Sequence, residues 1–270
     1  MTRPRTLLRL AGVAAASFTA YVVLLAAGGA LDLARRLAGT HRPAYAFRGR
    51  VLRLWARSMI RLLGVRVEAS GTPPSGSFFL VSNHLGYLDV IVFASQVPCV
   101  FVARGDLARW PVAGRLCRSA GTVFIDRTNK RAIPRAIAQV EQVLADGAGV
   151  VVFPEGTSSA GEGVLPFRPS LLDIPARGGI PVSWAAVSYE RTPGVPPPHL
   201  TVCWWGGMPF GSHALRLLGL REIRATVAWG DAPLVERDRK ILAGRLHEAV
   251  DRRFRPVVSG SGLLGGEEAR

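Results

Sequence analysis

The sequence predicts an α/β fold: a single domain with a mixed sheet of about seven strands flanked by helices, preceded by N-terminal membrane helices. Three observations carry this prediction. From Phe78 onward, short apolar runs of strand length alternate with stretches of helical period. Ahead of them, residues 10–31 contain no charge and are long enough to cross a hydrocarbon core, for which ~20 apolar residues suffice. A chain of 270 residues has room for one large α/β domain and an appendage, not for two such domains.

Arg3, Arg5 and Arg9 precede the uncharged run. Two readings stand: a retained anchor, favoured because the rest looks cytosolic, and a signal peptide cut near Ala26-Ala27-Gly28-Gly29-Ala30. Basic residues at both ends leave the orientation of a span open, and a helix lying in the leaflet fits as well. Residues 45–65 then interleave Arg48, Arg50, Arg53, Arg57 and Arg61 with Leu52, Trp55, Met59 and Leu63. This is the pattern of a basic amphipathic helix on a membrane surface, where each basic residue adds ~1 kcal/mol near anionic lipid. The alternative is a helix packed on the domain with its arginines solvated. A Gly/Pro/Ser turn at 71–76 closes the region. The expected divisions are 1–66 (membrane anchor and amphipathic helix), 67–256 (α/β domain) and 257–270 (a Gly/Ser-containing tail expected to be disordered).

Within the domain, strands are expected at 78–81, 100–103, 122–125, 150–153, 181–187, 200–205 and 223–228. Helices are expected after Asp89, over 106–117 with a break at Pro111, over 130–146 with Pro134 in the first turn and Gly147 as the stop, and over 237–254.

Net charge is +15 and the isoelectric point about 11.3, almost all from arginine, because Lys130 and Lys240 are the only lysines. Guanidinium forks fit phosphate and carboxylate, so an anionic partner is indicated. Nucleic acid is disfavoured: no basic tail, zinc spacing or aromatic RNA-binding signature occurs, and 49% of the chain is hydrophobic. Cys99, Cys117 and Cys203 are far apart, which argues for a reducing compartment and against a disulfide framework or a metal site.

The chemistry concentrates where the apolar run 78–81 breaks into Ser82-Asn83-His84-Leu85-Gly86-Tyr87-Leu88-Asp89. His84 falls at a strand end and Asp89 in the first turn of the next helix; the chain must bend at Gly86 for them to meet. A carboxylate that fixes a neutral imidazole makes a general base. The bland alternative is a histidine satisfying a buried strand end. No G-x-S-x-G elbow is present, so the hydroxyl to be activated belongs to a substrate. Two other strand ends add Arg127, a cation for phosphate, and Glu155-Gly156-Thr157, where Gly156 permits close backbone approach.

These blocks resemble the lysophospholipid acyltransferase family, typified by 1-acylglycerol-3-phosphate O-acyltransferases. Asn83-His84 with Asp89 is similar to its N-H-x-x-x-x-D motif; 121–127, 152–157 and 179–182 are similar to its second, third and fourth blocks. The resemblance covers about residues 65–190. It implies transfer of an acyl group from acyl-CoA or acyl-carrier protein to a lysolipid hydroxyl at the cytoplasmic face of the cell membrane. The acceptor expected first is 1-acylglycerol-3-phosphate; the alternative is another lysolipid such as lyso-ornithine lipid. An idle lipid-binding protein, or a hydrolase that activates water, is the reading from another class. His84 and Asp89 are then catalytic, and Asn83, Arg127, Glu155, Gly156, Thr157, Ser158 and Arg168 surround the substrates, with no metal or bound cofactor. Backbone N–H groups near Gly156 or the following helix start are the expected oxyanion donors. Ser158 stands where the family usually has an arginine that helps hold the phosphate, and Arg168 matches a downstream basic position.

Overall fold

The computed structural model describes residues 3–38, 44–125 and 133–258. Two helices come first, α1 (Arg3–Ala38) and α2 (Ala44–Leu63). The α/β unit follows as β1 (Val65–Ser70), β2 (Phe78–Ser82), α3 (Tyr87–Gln96), β3 (Cys99–Arg104), α4 (Ala113–Ser119), β4 (Val123–Ile125), α5 (Ile133–Ala145) and β5 (Gly149–Val152). It ends with α6 (Asp173–Gly178), β6 (Val182–Glu190), α7 (Pro198–Thr201), α8 (Phe210–Gly219), β7 (Ile223–Trp229) and α9 (Arg239–Arg253). Among the described residues, one sheet of seven strands runs in the order β1-β7-β6-β2-β5-β3-β4. All its pairings are parallel except β6 with β7.

The central strands explain themselves. Every residue of β2 and β5 is buried, as expected of parallel strands covered on both faces, which read as unbroken apolar runs rather than alternations. The sheet and its flanking helices enclose a continuous core that includes Phe79, Leu80, Phe93, Leu172, Trp229 and Leu246, each fully buried. Such a side chain contributes ~1.5–3 kcal/mol when fully removed from water. Phe78 pairs with Gly149 and Val81 with Val152, so β2 and β5 end level and their carboxyl-end loops emerge side by side.

The expected strand count holds, but one member differs. Residues 200–205, expected as a strand, form the end of α7 and a coil. Pro196-Pro197-Pro198 start a helix at Pro198, and three prolines lack the N–H groups a ladder needs. The seventh strand is β1, whose mostly exposed Val-Arg-Val-Glu run carries little apolar signal. It spans the expected 66/67 division. Gly64, at φ 68°, ends α2 just before it. Helix α4 follows a 3-10 turn (Gly105–Arg109), which is the break expected at Pro111. Residues 259–270, most of the expected disordered tail, and Lys130 lie outside the described residues.

Helices α1 and α2 form an antiparallel pair laid along the domain. The Arg9 guanidinium donates to the carbonyls of Leu218 and Leu220 at the end of α8, Gly12 packs on Leu62, and Trp55 Nε1 donates to Ser17 Oγ (3.1 Å). Arg48 then pairs with Asp32. From Arg9 to Asp32 is roughly 34 Å of helix at ~1.5 Å per residue, held against the protein along its length. Helix α2 packs one face on the domain: Ala56, Met59 and Leu63 are buried, and Arg53 and Arg57 donate to the Ser95 carbonyl at the end of α3 (3.5 and 3.3 Å), while Arg50, Arg57 and Arg61 stay exposed.

Candidate active site

The expected bend occurs at Gly86. Its missing side chain lets residue 204 approach, since a Cβ there would lie 2.8 Å from the Trp204 nitrogen. Asp89, at the third position of α3, reaches back over this turn. Its Oδ2 accepts from Leu85 N (2.6 Å), Gly86 N (2.9 Å) and His84 Nδ1 (2.8 Å). Oδ1 accepts from the Tyr189 hydroxyl at 2.6 Å. The carboxylate is fully buried, whereas the His84 side chain keeps 22% of its exposure and lines a cavity. An oxygen already receiving two N–H donors leaves Nδ1 of neutral His84 as a donor too, so the lone pair resides on Nε2. The ring is further fixed by stacking on Phe153, centroids 4.1 Å apart and planes 12° from parallel.

The β5 loop meets this turn directly. Glu155 Oε1 accepts the His84 N–H (3.2 Å), and the His84 carbonyl accepts from Ser159 N (3.0 Å). Glu155 is buried, and its Oε2 has no hydrogen-bond partner among the described residues. Burial pushes its carboxyl up to about 8; the nearby Asp89 adds to this, while the His84 and Leu165 N–H groups oppose it. Near neutral pH it is therefore a neutral brace under His84. Arg168 Nε donates to the Glu155 carbonyl (3.0 Å) and its backbone N–H to that of Pro154 (2.9 Å), so this arginine holds the loop from outside.

The cavity measures about 620 Å³ and is mostly apolar. Besides His84, its wall includes Phe101, Leu116 and Ile125 from the sheet and α4, and Ser17, Ala20 and Leu24 from α1. Of the residues expected around the substrates, Gly156, Thr157 and Ser158 line it. Glu155 and Arg168 stand behind them. Asn83 is buried, donates to the Val187 carbonyl (2.9 Å) and accepts from the Val187 N–H (2.8 Å), so its amide extends the β2–β6 pairing and is not on the cavity wall. Arg127 lies outside the described residues. Gly156 N–H is likewise not available as an oxyanion donor, because it closes a turn onto the Phe153 carbonyl (3.1 Å). The N–H groups of Thr157 and Ser158 donate to no acceptor among the described residues. Ser158 Oγ donates to the Trp204 carbonyl, while Trp204 N donates to the Leu85 carbonyl (2.8 Å). One residue, Trp204, thus ties the two motif loops together.

Two contributors escaped sequence reasoning. Tyr189 is one; its only signal is a phenol inside the buried run 182–189, where a hydroxyl needs a partner. Tyr87 is the other. His213 Nε2 donates to the Cys203 carbonyl (3.0 Å), which leaves Nδ1 to accept the Tyr87 hydroxyl (2.9 Å) and couples α3 to α8. Burial holds the Tyr87 phenol above its usual range and lowers the His213 imidazole, so both stay neutral.

Residues 64–188 match the Acyltransferase family. Lyso-ornithine lipid O-acyltransferases of Rhizobium meliloti (strain 1021) and Rhodobacter capsulatus are each 32% identical, over 77% and 86% of this chain and 74% and 86% of their own. The 1-acyl-sn-glycerol-3-phosphate acyltransferase of Neisseria meningitidis serogroup B is 31% identical over 49% of this chain and 53% of its own. The crystal structure of the 1-acyl-sn-glycerophosphate acyltransferase of Thermotoga maritima shares the fold, with a TM-score of 0.56 at 21% identity over 92% of this chain and 97% of that one. Fold, motif loops and relatives agree on an acyltransferase. The chain belongs to the lysophospholipid acyltransferase family.

Proposed function

We propose that this enzyme moves a fatty acyl group from a thioester, acyl-CoA or acyl-carrier protein, to the free hydroxyl of a lysolipid, with His84 as general base. The observation that carries the reading is the His84–Asp89 pair on the wall of an apolar cavity. Nε2 takes the hydroxyl proton as the oxygen bonds to the thioester carbonyl carbon; Asp89 stabilises the imidazolium. The carbon–sulfur bond then breaks and the thiolate leaves with the proton from Nε2. The N–H groups of Thr157 and Ser158 are available for the intermediate oxyanion. The cavity suits an acyl chain by its size and lining.

Among acceptors, a lysolipid without a terminal phosphate, of the lyso-ornithine type, is favoured over 1-acylglycerol-3-phosphate. Ser158 cannot fork onto a phosphate, and its proton is engaged by the Trp204 carbonyl. The lyso-ornithine enzymes also align over more of this chain. Helix α1 holds a 31-residue stretch (Pro4–Ala34) whose most apolar 18-residue window has a mean hydropathy of 2.0, long and apolar enough to cross a membrane. Because it is fastened along the domain from Arg9 to Asp32, we read it as lying in one leaflet, at the cytoplasmic face, with the domain beside it.

The test is product analysis with purified enzyme, thioester donor and either lysolipid. His84→Ala should lower turnover by at least ~10³-fold, within the scale for loss of a general base. Turnover retained by that variant would remove the mechanism; free fatty acid formed without acceptor would point to a hydrolase.

A further inference from the structure

We propose that residues 109–112 and the start of α8 form a second lipid-contacting surface, seated beside α1 in the headgroup layer of an anionic bilayer and framing the cavity mouth. It rests on the membrane reading above and adds an element that α1 and α2 do not supply. Trp110, Val112 and Phe210 expose 37%, 71% and 42% of their surface. Trp110 meets Phe210 edge-on at 5.7 Å, and Phe210 meets Tyr87 and Trp204 at 5.2 and 6.0 Å. These four rings line the same cavity as the α1 residues Ser17, Ala20 and Leu24. The wedge is continuous with the exposed apolar side of α1, because α1 packs against both α4 and α8 and shows Leu8, Phe18 and Leu25 to the outside.

Charge selects the occupant. Residues 104–125 contain one acid, Asp106, paired with Arg104 at 2.8 Å, against Arg109, Arg115 and Arg118. Residues 200–221 contain no acid and carry Arg216 and Arg221. Aromatic rings rimmed by arginine favour the level where acyl chains meet headgroups, and such a surface is drawn to anionic lipid. A protein covering this face would lie across the cavity mouth, whereas a bilayer delivers the lysolipid into it.

The experiment uses the full chain on vesicles of phosphatidylcholine and phosphatidylglycerol. Cys117→Ser leaves only the buried Cys99 and Cys203. In that background an environment-sensitive dye is placed at Val112→Cys, at Phe18→Cys on α1, and at Gly244→Cys on the exposed side of α9. Lipid carrying brominated acyl chains should quench positions 112 and 18 several-fold more than position 244. Quenching at 18 but not at 112 would overturn the second surface alone; none at either would overturn the membrane reading with it. Val112→Asp, off the cavity wall, should raise the KM for vesicle-borne lysolipid about fivefold or more. Its turnover of a short-chain lysolipid dissolved as monomers should be unchanged. Equal losses with both substrates would refute the proposal.

Discussion

Glu155→Gln isolates the neutral brace under His84. Glu155 binds its proton up to about pH 8 in the folded protein and to its ordinary value of 4.5 when unfolded. Between those values the folded state holds a proton that the unfolded state has released, so stability falls as pH rises, by ~1.4 kcal/mol per pH unit from this group. From pH 5 to 8 that amounts to ~4 kcal/mol, as an order of magnitude. Glutamine keeps the acceptor for the His84 N–H but cannot titrate. Every other carboxylate is common to both proteins and cancels in the difference. Unfolding followed in mild detergent between pH 5 and 9 should show the variant gaining on the parent by several kcal/mol across this window. At ~2–4 °C per kcal/mol for a domain of this size, the melting temperatures should diverge by ten degrees or so. Activity of the parent should decline above about pH 8, as a second buried charge arises beside Asp89, and the variant should keep its activity there. Parallel stability curves, or an identical alkaline limb, would refute the reasoning.

Tyr189→Phe removes one of four donors from Asp89; we expect ~1.5–3 kcal/mol lost in stability and a kcat about tenfold lower with unchanged KM for both substrates, whereas an unaltered kcat would make the phenol purely structural. Ser158→Arg should gain at least several-fold in kcat/KM with 1-acylglycerol-3-phosphate and lose with lyso-ornithine lipid; no change in that ratio would count against headgroup selection at this position. Gly86→Ala drives a methyl into the Trp204 backbone, so ~1–3 kcal/mol of stability should be lost on thermal unfolding, and a neutral result would contradict the close approach.

The dyad was legible because a strand end, a glycine and a helix start follow one another within 82–89, and each leaves a local mark in composition. The apolar runs that became β2 and β5 were legible as strands, and their parallel pairing brings His84 and Glu155 together. What the chain hid depends on distant partners. Asn83 sits in the motif, yet its amide belongs to Val187, more than a hundred residues later. Tyr189 reaches Asp89 from 100 residues away. The strand assigned to 200–205 failed because Val-Cys-Trp-Trp looks like an edge strand until Trp204 is seen bonding to Leu85. Edge strand β1 failed for the opposite reason, its pairing with β7 supplying what its residues do not advertise.

Helix α1 is also a wall of the cavity to which the proposed function assigns the acyl chain. A shortened protein beginning at Ala44 would retain the sheet and its imidazole, yet the trough would lie open along one flank, with Trp55 and Leu52 bared to water. Under that reading, gaining solubility by trimming this helix would remove part of the mould around the acyl tail, and chain-length discrimination would suffer before chemistry does.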